Sequence, residues 1–184
     1  MAGRLFPPAG HLRGRHSLVV VLVLLLCVAL YAATLAPGTL FGDPSEYQFI
    51  PAIWGIAHPP GYAFYTLLAG LWQRIVTVGS VAWRTNLLAA CAGAWAASRV
   101  SAIVLSLGAC DRESRAAGWW PAGSALVGGL AVASAPDVWQ HSIHANAHIV
   151  SAAITVTQLW LLVCWWRTGR IAWLYGLAWL VGIG

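Results

Sequence analysis

Two carboxylates, Asp43 and Glu46, stand three residues apart and precede the turn His58-Pro59-Pro60-Gly61-Tyr62. They are two of only five acids in 184 residues, against ten arginines and no lysine. Both fall between apolar segments of membrane length. A carboxylate beside lipid is costly, so an acid in that setting marks a candidate functional site. One carboxylate can take the proton of an attacking hydroxyl while neighbouring polar groups hold it in place. Helix capping is the structural alternative. Asp43-Pro44-Ser45-Glu46 reads as Asp at the N-cap, Pro at N1 and Glu at N3, the layout of a capping box. The two readings are compatible. His58 has its own structural alternative, a histidine satisfied by the turn backbone. Arg84 reads either as an interface anchor or as a guanidinium that holds a phosphate through two parallel hydrogen bonds. Arg99, farther along the same apolar run, reads as a snorkelling side chain.

The elements that must position these groups are membrane helices. Hydrophobic residues make up 60% of the chain and charged ones 8%, far from the roughly 25% charged of a soluble domain. Apolar runs at residues 17–35, 87–107, about 119–138 and 149–166 are candidate spans, and another opens at 171. A cleaved signal peptide is the weaker reading of the first run, whose core exceeds the roughly 7–15 residues of such peptides. The chain reads as the amino-terminal piece of a longer polytopic protein. Cys27, Cys91, Cys110 and Cys164 fit no metal or redox spacing and imply no disulfide framework. The formal charge of +5 is not a nucleic-acid signal, because the arginines sit at span ends rather than in one stripe.

Arginine placement sets the expected topology. With a cytoplasmic basic amino terminus (residues 1–16), residues 36–83 form one long outer loop. The segment Asp111-Arg112-Glu113-Ser114-Arg115, together with Arg167 and Arg170, then lies inside, as short-loop arginines prefer. Were 58–78 a span, all four of those arginines would fall outside. Within the outer loop a helix is expected from Asp43 to about Trp54 or Gly55. His58, before a proline, is pushed toward an extended conformation, and Pro60 can open a second helix reaching Trp72 to Val76. Tyr62, Phe64, Tyr65 and Trp72 suit a headgroup boundary. His141, His144 and His148 have the spacing of one helical face at the outer end of the fourth span. On a straight helix the first and last stand about 10 Å apart along the axis, so polar lining is favoured over zinc binding.

Gly42-Asp43-x-x-Glu46, the His58-Pro59-Pro60-Gly61-Tyr62 block with Tyr65-Thr66-Leu67-Leu68 behind it, and Arg84-x-Asn86-Leu87 together resemble a membrane-protein family. It is described as a domain of unknown function and grouped with protein O-mannosyltransferases, in the GT-C superfamily of polyprenyl-phosphate-sugar-dependent glycosyltransferases. The likeness covers residues 37–107 well and extends loosely to 166. It implies an all-α, polytopic, GT-C-like fold with a long first outer loop carrying interfacial helices. It also implies a multi-pass protein, expected in a bacterial plasma membrane with its amino terminus cytoplasmic. The implied activity is inverting transfer of a sugar, with mannose the candidate, from a polyprenyl-phosphate donor to a hydroxyl of a protein or glycan on the outer side. Asp43 and Glu46 would be catalytic. His58, Tyr62, Arg84, Asn86, Asn146 and His148 would bind substrate. The family reads Asp-Ser-Gly-Glu where this chain has Asp43-Pro44-Ser45-Glu46, and Glu-Val-Tyr where it has Asn146-Ala147-His148. The second departure removes an acidic contact, so a divalent metal is not favoured and no cofactor is assigned. The competing functions are a transporter or channel subunit with a polar path, against which the acids lie off the midplane, and a noncatalytic scaffold.

Overall fold

Small residues decide the architecture. Ala89, Ala90, Gly93, Ala94, Ala97, Ser98 and Ser101 are all buried on one helix, and their lack of bulk lets neighbouring backbones approach closely. A Cβ on Gly93 would collide with the Ser142 side chain, and one on Gly129 would lie 3.2 Å from the Ala97 carbonyl. The computed structural model describes residues 13–108 and 119–183, and every regular element among them is helical. In chain order these are α1 (Arg13–Ala33), α2 (Asp43–Ile53), α3 (Ala63–Ile75), α4 (Val81–Gly108), α5 (Trp120–Ala133), α6 (Pro136–Ser142), α7 (Ala147–Thr168) and α8 (Ala172–Ile183).

The small-residue helix is α4, and it is the hub: α1, α2, α3, α5, α6 and α7 all pack on it. Its 28 residues are about 42 Å long. It passes through two apolar clusters. One gathers Tyr47 and Tyr65 with Leu88, Ala89, Ile149 and Val150. The other joins Val23, Cys27 and Tyr31 of α1 to Ala90, Ala94, Ala97 and Ala133. Tyr31 closes the second by donating its hydroxyl to the Ala133 carbonyl at 2.7 Å. The helices α4 and α7 are long and apolar enough to cross a membrane. Leu18, Leu22, Leu25 and Leu26 of α1, and Tyr175, Trp179 and Val181 of α8, are exposed. Large apolar side chains facing outward along these helices suit lipid surroundings.

Several boundaries differ from the sequence expectation. The run expected to span about 119–138 breaks, because Ala135 is extended before Pro136 and α6 starts afresh there. The three histidines therefore share no helical face: His141 is on α6, His144 in the turn, and His148 in the first turn of α7. The run expected at 87–107 begins earlier, at Val81, taking Arg84, Thr85 and Asn86 into its first turns. The second outer helix opens at Ala63 rather than Pro60. Expectations resting on residues 1–12, on Cys110, and on Asp111, Arg112, Glu113, Ser114 and Arg115 lie outside the described residues.

Candidate functional site

The capping box expected at α2 does not form. The N-cap is Gly42, at φ 79°, and makes no side-chain bond to the helix. A positive φ is available to glycine at little cost, so the helix starts one residue early and Glu46 is left over from capping. Its carboxylate reaches instead across to the His58 turn. The backbone N–H of His58 donates to Oε1 at 2.6 Å, and Nδ1 lies 2.7 Å from Oε2. A carboxylate only accepts, so Nδ1 carries the hydrogen. The His58 bond holds the Glu46 carboxyl below its ordinary value, and the same bond raises the His58 imidazole. Asp43, by contrast, is exposed at the first position of α2. Its charge acts on Tyr47 and His58.

Aromatic rings floor this corner. Tyr47 is buried and packs edge-on to Tyr62 and Tyr65, at ring separations of 5.4 Å and 5.3 Å. Tyr62 adopts a left-handed conformation (φ 45°) after Gly61 (φ 93°), which turns its ring to His58 at 5.6 Å and to His148 at 5.8 Å. Burial, then the Tyr62 phenol beside it, then the charges of Asp43 and Glu46, keep the Tyr47 phenol protonated well above the usual tyrosine range. The Tyr47 hydroxyl has no hydrogen-bond partner among the described residues. Pro51 sits inside α2 and has no N–H to offer the Tyr47 carbonyl. The Tyr65 hydroxyl donates to that carbonyl instead, at 3.2 Å. The helices α2 and α3 cross so closely that a Cβ on Gly70 would lie 2.8 Å from the Trp54 ring.

Beneath the rings lies a polar belt. Asn86 is fully buried; its Oδ1 accepts from Gln48 Nε2 and from the Ala145 N–H, each at 2.8 Å. Its Nδ2 donates to the Ala36 carbonyl at 2.8 Å. Gln73 Nε2 donates to Thr85 Oγ1 at 2.7 Å and to the Gln48 carbonyl at 2.9 Å. Asn86 thus ties four separate chain segments together. Arg84 is similarly committed. Its guanidinium donates to the carbonyls of Gln73, Thr77 and Gly79 at 3.1, 2.9 and 2.8 Å, fastening the 73–79 turn. Asn146 caps α7, accepting from the backbone N–H of His148 at 2.7 Å. Among the residues expected to bind substrate, His58, Tyr62 and His148 converge beside the two acids. Arg84 and Asn86 spend their polar groups on the fold, and Asn146 spends its side-chain oxygen on the α7 cap.

An apolar cleft of about 400 Å³ adjoins Tyr62, with Ala63, Phe64 and Tyr65 on one side and Val150, Ser151 and Ile154 on the other. Among the described residues, no three His, Cys, Asp or Glu side chains are grouped to hold a metal ion. Tyr47, Gln48 and Gln73 were not singled out from the sequence. The usable signal was the register of α2 and α3, where Gln48 and Gln73 share the buried face with Tyr47, Pro51, Tyr65 and Ala69.

Residues 43–184 match the model of the protein O-mannosyl-transferase TMEM260 N-terminal domain, and the chain belongs to that family. A protein O-mannosyl-transferase TMEM260 of Mus musculus is 41% identical over 90 residues, covering 49% of this chain and 12% of the mouse protein. A protein O-mannosyl-transferase of the same name from Dictyostelium discoideum is 32% identical over 76 residues, covering 40% of this chain and 9% of its own length. The match therefore spans about a tenth of the length of these relatives. No solved structure matches the chain.

Proposed function

We propose that this chain carries the outer-face acid site of a membrane mannosyltransferase. The enzyme moves mannose from a polyprenyl-phosphate donor to a hydroxyl of an acceptor protein. The observation that carries this reading is the division of labour between the two acids. Both Glu46 oxygens are engaged by His58, while Asp43 stands exposed at the rim of the same corner. Asp43 is the general base. The acceptor oxygen attacks the anomeric carbon, its proton passes to the Asp43 carboxylate, and the bond from that carbon to the phosphate oxygen breaks on the opposite face. Polyprenyl phosphate leaves as an anion, so the leaving group needs no strong acid. Attack opposite the leaving group inverts the sugar.

The other residues take supporting roles. Glu46 fixes His58, and His58, Tyr62 and His148 face the transferring sugar and its phosphate. The apolar cleft beside Tyr62 suits a prenyl chain. Arg84, Asn86 and Asn146 are positioning residues, since the Arg84 guanidinium, the Asn86 amide and the Asn146 side-chain oxygen already hold backbone. The relatives' name supports the sugar and the protein acceptor. In this reading the protein is multi-pass, with residues 36–83 on the outer side and the arginine-bearing loops inside.

Asp43→Asn in the full-length protein is the decisive test. Gly42 caps α2, so the substitution removes only a charge near the helix start, costing about 0.3–1 kcal/mol. A general base contributes about 10²–10⁴-fold, and transfer from a polyprenyl-phosphate mannose donor should fall by that factor. Near-full transfer by the correctly folded variant overturns the assignment.

A further inference from the structure

The second arginine of α4 has no carbonyl cradle. Arg99 lies fifteen positions beyond Arg84, about 22 Å farther along the helix. Its guanidinium carbon is 4.3 Å from the centre of the Trp95 ring and 4.8 Å from that of Trp160. Its Nε is buried and has no hydrogen-bond partner among the described residues. Indole faces attract the cation but leave the N–H edge of the guanidinium without acceptors. A charge in a helix of membrane-spanning length, with an N–H left over, is costly unless something completes it. The described acids do not: Asp43 and Glu46 are on α2 and Asp137 is on α6, whereas Arg99 lies between α1 and α7.

A cavity of about 320 Å³ opens at this guanidinium. Its floor is α4, with Ala102, Leu105 and Ser106; Ser17, Val20 and Val21 of α1 form one wall and Trp160 of α7 the other. One cationic fork with two serines at its polar end, set in a groove walled by valine, alanine, leucine and tryptophan, has the polarity of a lipid turned inside out. A guanidinium matches phosphate oxygens bidentately, and the valine and leucine surfaces match the first part of an acyl chain. A soluble anion would gain nothing from those walls, and an uncharged lipid would leave the guanidinium unpaired.

We propose that the α1–α4–α7 groove is a phospholipid site, in which Arg99 holds the headgroup phosphate and Val20, Val21, Ala102 and Leu105 hold the chain. It lies far along α4 from the acid corner and does not depend on the transferase reading. Native mass spectrometry of the full-length protein, delipidated in a neutral detergent, tests it by titration with phosphatidylglycerol, diacylglycerol and inorganic phosphate. Phosphatidylglycerol should be retained and the other two should not. Arg99→Gln should weaken retention about tenfold, the effect of one lost charge-assisted contact. Arg74→Gln is the control, because its guanidinium also stacks on an indole, 4.2 Å from the Trp54 ring centre, outside the groove. It should leave retention unchanged. Val21→Trp, at an exposed wall position, should displace the lipid while sparing Arg99, and it decides the matter if Arg99→Gln does not fold. Equal retention by Arg99→Gln or Val21→Trp and the parent overturns the proposal. Equal binding of inorganic phosphate would make it a free-anion site, and equal binding of diacylglycerol a purely apolar groove; either also overturns it.

Discussion

Arg84 and Arg99 are the same residue type on the same helix, and the structure uses them in opposite ways. At the first turns of α4, Arg84 is saturated by carbonyls of a turn that its own hydrogen bonds shape. Deeper in, Arg99 is stacked between two indoles with a buried N–H unmatched among the described residues. The difference comes from the surrounding chain. The 73–79 segment ends a helix and has carbonyls to give, since the last C=O groups of a helix lack partners within it. Around Arg99, indole rings rather than turn carbonyls face the guanidinium. An arginine beside a helix-ending turn is therefore absorbed into the fold, whereas one held between indoles stays open to a partner from outside.

The polar belt beside Arg84 should be where the fold is most sensitive. Asn86→Ala strands the buried Ala145 N–H, takes an acceptor from the buried Gln48 amide and leaves the half-buried Ala36 carbonyl without its donor. The expected loss is about 3 kcal/mol, read as a lower thermal midpoint of the protein in detergent. A midpoint equal to the parent's would mean that the belt is not structural, and Asn86 would return as a substrate contact. Arg84→Gln comes next, at about 2 kcal/mol, because charged hydrogen bonds to several carbonyls are lost from a half-buried site. Arg99→Gln should cost less than Arg84→Gln, since only stacking worth about 0.5–1 kcal/mol is removed. The reverse order in thermal midpoints would break the contrast between the two arginines.

The helical class and the approximate bounds of α1, α2, α3, α4 and α7 were legible, because apolar runs, Pro44 and the Pro59-Pro60 pair punctuate the chain locally. Pairing across the fold was not. Asp43-Pro44-Ser45-Glu46 has the spacing of a capping box, yet Gly42 takes the cap and Glu46 finds His58 twelve residues on. That choice depends on α2 packing against the turn, which no local pattern encodes. The expected straight face of His141, His144 and His148 failed for a local reason: the break before Pro136 was readable, and the Asn146 cap of α7 ends any continuous helix between them. Arg84 and Asn86 carry the right chemistry for substrate, but only their contacts in the fold reveal that their polar groups are already occupied, whereas the Asn146 oxygen is taken by a local cap. Tyr62 and His148 converge across about 85 residues of sequence, and their meeting is a product of α4 as hub.

The smallest expected effect concerns the second acid, and it separates a fixed pair from a free one as the two arginines are separated. Glu46 and His58 are partly exposed, so their ion pair is screened and contributes little to global stability. Titration is the sharper readout. His58 is raised above 6.5 by its bond to Glu46, and Glu46 is lowered below 4.5 by the same bond. For His58 the stabilising charge is fully present below 6.5 and is lost as pH rises through the raised folded value. For Glu46 it is present above 4.5 and is lost as pH falls through the lowered folded value. The pair is therefore strongest between about pH 4.5 and 6.5 and weakens on both sides. An NMR titration of the His58 ring should give a midpoint above 6.5 in the parent and one moved back toward 6.5 in Glu46→Gln. That variant should also reduce sugar transfer less than Asp43→Asn, because it loosens the histidine without removing the base. If the His58 midpoint does not move, Glu46 does not hold the histidine, and the division of labour between the two acids has to be reassigned. A glutamate then left unpaired beside Asp43 would itself become a candidate base, and the ratio of the two variants' transfer rates would say which carboxylate takes the proton.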